Sequence, residues 1–126
     1  MTLTALYAGC LGLFHVILAC WVIYLRRYHR VGIGAGDHFD LKKAVRVHGN
    51  FIENVPLALI LLGLLEVNGE GPVLLHILGS CLLLGRVLHA YGLSRTHRSS
   101  FGRFTGTALS LIVIALSSAR LLLIQS

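Results

Sequence analysis

Nothing constrains the fold of this chain as tightly as its four apolar stretches, residues 3–25, 41–67, 72–93 and 105–124. An α-helix rises about 1.5 Å per residue, so each stretch can cross a hydrocarbon core roughly 30 Å thick. Inside lipid every backbone N–H and C=O needs a partner within the segment, which leaves helices as the solution for stretches of this length. The reading is therefore all-α: a four-transmembrane-helix bundle forming a single membrane domain over residues 1–126. Composition agrees, with mean hydropathy +0.79 and 56% hydrophobic against 13% charged residues. The length leaves no room for a soluble catalytic domain beside the spans, so any chemistry has to sit among the helices.

Punctuation between the stretches fits this division. Gly32, Gly34, Gly36 and Asp37 break the chain after the first, and Asp40 is expected to N-cap the second. The run NGEGP at 68–72 reads as a tight turn that delivers Pro72 to the first position of the third helix. Residues 94–102 form a polar, basic connection. Pro56 falls inside the second helix, where it should bend the helix and free a carbonyl near Ile52. The first stretch has no basic leader and runs into Arg26 and Arg27, so it reads as a retained span and not a cleaved signal.

The net charge of +6 does not point to nucleic acid, because the basic residues flank the apolar stretches in the manner of membrane orientation signals. Arg26, Arg27, Arg30, Lys42, Lys43, Arg46, Arg95, Arg98 and Arg103 fall on one side, which is expected to be cytoplasmic. Glu66, Glu70 and Arg120 fall on the other, together with both termini. The expected location is a bacterial inner membrane crossed several times. Cys10, Cys20 and Cys81 all lie in apolar stretches without metal-ligand spacing and read as small hydrophobes, so no metal is expected.

The informative residues are those that a plain anchor would not contain, since an ionisable group at mid-helix costs about 2.5–3.5 kcal/mol on insertion. In the second helix Arg46, Asn50 and Glu53 are spaced i, i+4, i+7 along one stripe, with His48 on roughly the opposite face. In the third, Arg86 and His89 are spaced i, i+3 at the depth where the second helix enters the membrane, so the two stripes can meet. Glu53 facing Arg46 or Arg86 would cancel charge, with Asn50 satisfying what remains. That is the interhelical-glue reading. The alternative is a ligand site: arginines far outnumber acids here, and a ligand bearing several carboxylates or phosphates, with an amine for Glu53, would balance them. A lipid head group has the same chemistry as a peptide in this respect.

The run RVHGNFIENVP at 46–56 resembles the signature of the MAPEG family, membrane-associated proteins in eicosanoid and glutathione metabolism. The likeness extends over the chain: four helices, a basic Gly-containing first loop, and GRVLHAYGL at 85–93 in the third helix. It is greatest to the short bacterial members. The resemblance implies a homotrimer with sites between subunits, open to the cytoplasm, that bind glutathione as co-substrate while a lipophilic small molecule enters from the bilayer. Carried over by position, it implies that Arg46, His48, Asn50 and Glu53 hold the tripeptide, with Glu53 at its amino group, and that Arg86, His89 and Tyr91 complete the pocket. It further implies a contact from Arg26 or Arg27, and a thiolate-stabilising arginine at Arg103, or at Arg98 if the loop aligns differently. A neighbouring guanidinium favours the charged form of a thiol whose free pKa is about 8.5, and the thiolate is the nucleophile. Two positions depart from the pattern: Asn54 and Leu93 stand where several members have tyrosine.

Two functions of different class follow: a glutathione transferase or peroxidase acting on a lipophilic electrophile, or a non-catalytic membrane protein of the same fold that binds glutathione or lipid. A small four-helix exporter is a third, but such exporters use a membrane-embedded acid in the first helix and residues 3–25 contain none. His15 and His76, alone in apolar helices, read as packing, Trp21 and Tyr24 as interfacial anchors, and Arg120 as a side chain snorkelling to the far interface.

Overall fold

The structure, a computed structural model, describes residues 1–95 and 101–126. Four helices run up and down: α1 (Thr2–His29), α2 (Phe39–Val67), α3 (Pro72–Arg95) and α4 (Phe101–Gln125), each with a segment long and apolar enough to span a membrane. α2 sits at the centre of the packing. It touches each of the other three helices, whereas α1 and α4 do not meet among the described residues. Its buried face, Val47, Phe51, Val55, Ala58, Leu62 and Leu65, interlocks with Leu11 and Leu18 of α1, Leu75, Leu78 and Leu82 of α3, and Val113 of α4.

Lipid tails are as apolar as these side chains, so association rests on close packing and on hydrogen bonds across helices. The α3–α4 seam shows the first. A Cβ on Gly106 would lie 2.8 Å from both the Cβ and the backbone nitrogen of His89, and one on Gly85 would lie 3.0 Å from the Gly106 carbonyl oxygen. The two backbones approach because both positions lack a side chain. At the outer end of α1 the Tyr7 ring covers Gly79, and its hydroxyl meets His76 Nδ1 and Ser80 Oγ, each at 2.9 Å. His76 is thus tied into packing, as its isolation in the sequence suggested.

The helices project past their apolar stretches. α1 continues through Arg26 and Arg27 to His29 and ends on Arg30 in the left-handed conformation (φ 56°, ψ 41°), where Val31 N–H donates to the Arg26 carbonyl at 2.9 Å. Basic residues complement the negative end of the helix dipole there, so hydropathy ends before the helix does. α2 begins two residues earlier than expected, and its N-cap is His38. Asp40 lies inside the first turn because its carboxylate is engaged: Oδ2 meets His29 Nε2 at 2.8 Å and Oδ1 accepts from Leu41 N–H at 2.8 Å. α3 starts at Pro72, as the turn sequence requires, with Gly69 of that turn at φ +82°.

The antiparallel order brings Arg26, Arg27, Arg30, Lys42, Lys43, Arg46 and Arg103 to one end of the bundle. At the other end the Glu66 carboxylate accepts from the N–H groups of Leu3 at 2.9 Å and Thr4 at 2.8 Å, standing in for the cap that α1 lacks. Arg120 Nε donates to Glu70 Oε2 at 2.6 Å, so this arginine pairs with the α2–α3 turn where snorkelling had been expected.

Candidate functional site

Near the basic end, α2, α3 and α4 enclose a cavity of about 310 Å³ lined by Arg46, Asn50, His89, Arg103, Phe104 and Thr107. Each helix contributes at the register its sequence dictates. Arg46 and Asn50 stand one turn apart on α2; His89 faces them from α3, held close to α4 by the bare Gly106; Arg103 and Thr107 stand one turn apart on α4.

Arg86 lies behind this cavity. It is 2% exposed, the largest fully buried side chain of the bundle. Its Nη1 donates to Asn50 Oδ1 at 2.5 Å and, at 3.4 Å, to the Asn50 carbonyl oxygen; Nη2 donates to the Gly106 carbonyl oxygen at 2.8 Å. Nε has no partner. The guanidinium thus ties α3 to α2 and α4 through neutral oxygens, and among the described residues no carboxylate stands against it. Because Oδ1 of Asn50 is occupied, the amide has its N–H₂ donors left to offer the cavity.

Glu53 stands beside the cavity and pairs with Arg46, Nη1 to Oε1 at 3.9 Å, with both side chains about three-fifths exposed (61% and 58%). So exposed a pair is weak. Asn54 turns back on its own helix, donating from Nδ2 to the Asn50 carbonyl oxygen at 2.9 Å, and does not line the cavity.

The structure thus gathers Arg46, Asn50, His89 and Arg103 in one place, with Glu53 at the rim and Arg86 behind. The other expected residues lie elsewhere in the chain. His48 stacks on His15 of α1, ring centroids 5.0 Å apart, with its Nε2 buried and unpartnered. Arg26 and Arg27 line a separate hollow of about 380 Å³ with Arg30. Tyr91 is 55% exposed and outside the cavity lining. Arg98, the alternative to Arg103, lies outside the described residues. Phe104 and Thr107 were missed, because nothing in the sequence singles them out before α3 and α4 are seen to meet there. A larger hollow of about 500 Å³ between α1 and α2 has an almost wholly apolar lining with His15 at its edge, so it offers no cation for an anion.

The MAPEG family model matches residues 4–123. The inner membrane protein YecN of Escherichia coli (strain K12) is 39% identical over 116 residues, covering 89% of this chain and 88% of that protein. The protein of the same name from E. coli O6:H1 matches to the same extent. No solved structure matches significantly. With four spanning helices, these matches make the chain a multi-pass protein of the bacterial inner membrane.

Proposed function

The chain belongs to the MAPEG family, and from that premise and the charge of the cavity we propose that it binds glutathione between α2, α3 and α4 and transfers it to a lipophilic electrophile. The observation that carries this reading is the buried Arg86, a cation with only neutral oxygens around it, directly behind a cavity already lined by Arg46 and Arg103. One exposed carboxylate, Glu53, does not offset three guanidinium groups. A buried charge without a counter-ion is costly in a membrane, and an anionic ligand lowers that cost. The cavity falls at the small end of the range for ligand sites, roughly 300–1,000 Å³, as suits a tripeptide head group.

In this reading the glutathione carboxylates meet Arg46 and the Asn50 amide donors, and its ammonium meets Glu53. Arg103 favours the ionised sulfur. The thiolate then attacks the electrophilic carbon, forming the S–C bond as the leaving group departs with its electron pair. With a hydroperoxide as acceptor, the thiolate would instead attack the terminal oxygen and break the O–O bond, releasing the alcohol and leaving a sulfenic acid on sulfur, which a second glutathione would condense with to give the disulfide and water. Arg26, Arg27 and His48 face away from this cavity within one subunit, which supports a homotrimer in which a neighbouring copy supplies them.

Calorimetry of the detergent-solubilised chain with glutathione, together with turnover of an aromatic electrophile on the same sample, tests the proposal. Binding with turnover that Arg103→Ala abolishes is the expected result; absence of binding refutes it. Binding without turnover would favour a non-catalytic member, a reading to which the inward-turned Asn54 lends weight.

A further inference from the structure

Among the described residues of the cavity wall, Thr107 alone carries a hydroxyl. A threonine within a helix ordinarily donates that hydroxyl to the carbonyl four residues back, above all in an apolar segment where water is scarce. Ser110, one turn along the same helix, does so, its Oγ donating to the Gly106 carbonyl oxygen at 3.3 Å. Thr107 has no such bond among the described residues, and it is half-buried against Arg46, Asn50, His89 and Arg103. Its hydroxyl is therefore left over by the protein's own hydrogen bonding and borders a cavity that is otherwise cationic.

Depth decides what it can meet. α4 enters the membrane from the basic end, so Thr107 stands one turn, about 5–6 Å, deeper than Arg103 on the same face. The carboxylates of a bound tripeptide seek the half-solvated Arg46 near the interface. Its thiol, the least polar group, takes the inner end, where an apolar substrate arrives from lipid. Phe104, 75% exposed and next to Arg103 on α4, adds an apolar edge at the level of that arginine.

We propose that the Thr107 hydroxyl is the second donor to the glutathione sulfur, acting together with Arg103 to hold it ionised and aimed toward the lipid side. The inference rests on the glutathione reading above and adds to it a catalytic residue. The proton lost from sulfur leaves to water at the cytoplasmic mouth. No bond other than S–H is broken in this step, and the negative charge formed is shared between the guanidinium and the hydroxyl.

The test compares the full chain with Thr107→Val, Thr107→Ala and Thr107→Ser, measuring glutathione affinity by calorimetry and ionisation of the bound thiol by the ultraviolet absorbance of the thiolate as pH is varied. A hydrogen bond to a charged group contributes enough that losing it should raise the pKa of the bound thiol by about one unit, a tenfold change in its ionisation constant. Valine and alanine should both give this upward shift, with affinity at neutral pH falling by at most the same factor, and serine should titrate as the parent does. A purely structural role would move affinity or folding and leave the titration of the bound thiol in place. If glutathione binds and the valine and alanine variants titrate like the parent, the assignment of Thr107 falls while the glutathione site stands. If the parent binds no glutathione, both fall together. Because valine and alanine make the same prediction, misfolding of one leaves the other decisive.

Discussion

Replacing Arg86 by methionine separates what this side chain does for the fold from what it does for the site. The two interhelical bonds with good geometry, to Asn50 Oδ1 and to the Gly106 carbonyl oxygen, are lost. Bonds of this kind inside a bilayer are each worth about 0.6–1.7 kcal/mol, so roughly 1–3 kcal/mol of helix association disappears. Against this, removing an ionised group from the membrane recovers up to about 2.5–3.5 kcal/mol, the helix-centre figure on insertion scales, and methionine retains much of the volume. The two nearly cancel, so the thermal midpoint in detergent should change little. Ligand affinity should not be spared. A carboxylate in the cavity at about 8 Å from the guanidinium, with an effective dielectric constant of about 20, is attracted by roughly 2 kcal/mol. Losing that attraction weakens glutathione binding about thirtyfold, before any effect of releasing the Asn50 amide. Calorimetry and a melting curve on one preparation measure both quantities. A variant that fails to fold would mean the guanidinium is chiefly structural, and one that folds and binds glutathione as tightly as the parent would refute the electrostatic argument.

Two further outcomes follow from the packing and the far end of the bundle. Gly106→Ala places a Cβ 2.8 Å from His89 backbone, which cannot yield as a side-chain tip can; overpacking of this sort costs about 1–3 kcal/mol, so the melting temperature should fall and glutathione binding with it, as His89 and Arg86 shift. Glu70 is held below its ordinary value of 4.5 chiefly by the hydrogen bond from Arg120. Its contribution is therefore complete above pH 4.5 and is lost as pH drops through the lowered value; Glu70→Gln should melt earlier than the parent at neutral pH, the gap closing under acid, and parallel curves at every pH would contradict the pairing.

How far the sequence reached can be seen residue by residue. Span length alone made the four helices legible, because a lipid solvent permits few alternatives. Their ends were legible only where turn chemistry marked them, as at Pro72. Hydropathy tracks the hydrocarbon, and α1 and α4 extend beyond it into the interface, where arginine and glycine carry the helix without an apolar signal. Asp40 was misread as a cap because its real partner, His29, is eleven positions away across a loop.

The site was legible as a stripe but not as a pocket, and the difference lies in helix rotation. Spacing put Arg46, Asn50 and Glu53 on one face of α2. It could not tell that Asn50 would be 7% exposed while the charged residues on either side stayed mostly in the open. That division is set by α4, whose bare Gly106 admits His89 closely and offers its carbonyl to Arg86, fixing the guanidinium against Asn50. Neither Gly106 nor Thr107 is conspicuous among the small residues of an apolar stretch. Their part emerges only once α3 and α4 are seen to touch there, and it makes α4 a wall of the site where the family resemblance had assigned it a single arginine. A loss of glutathione binding on altering Gly106, which lies outside the cavity lining, would accordingly carry more weight for this account than the same loss at Arg46.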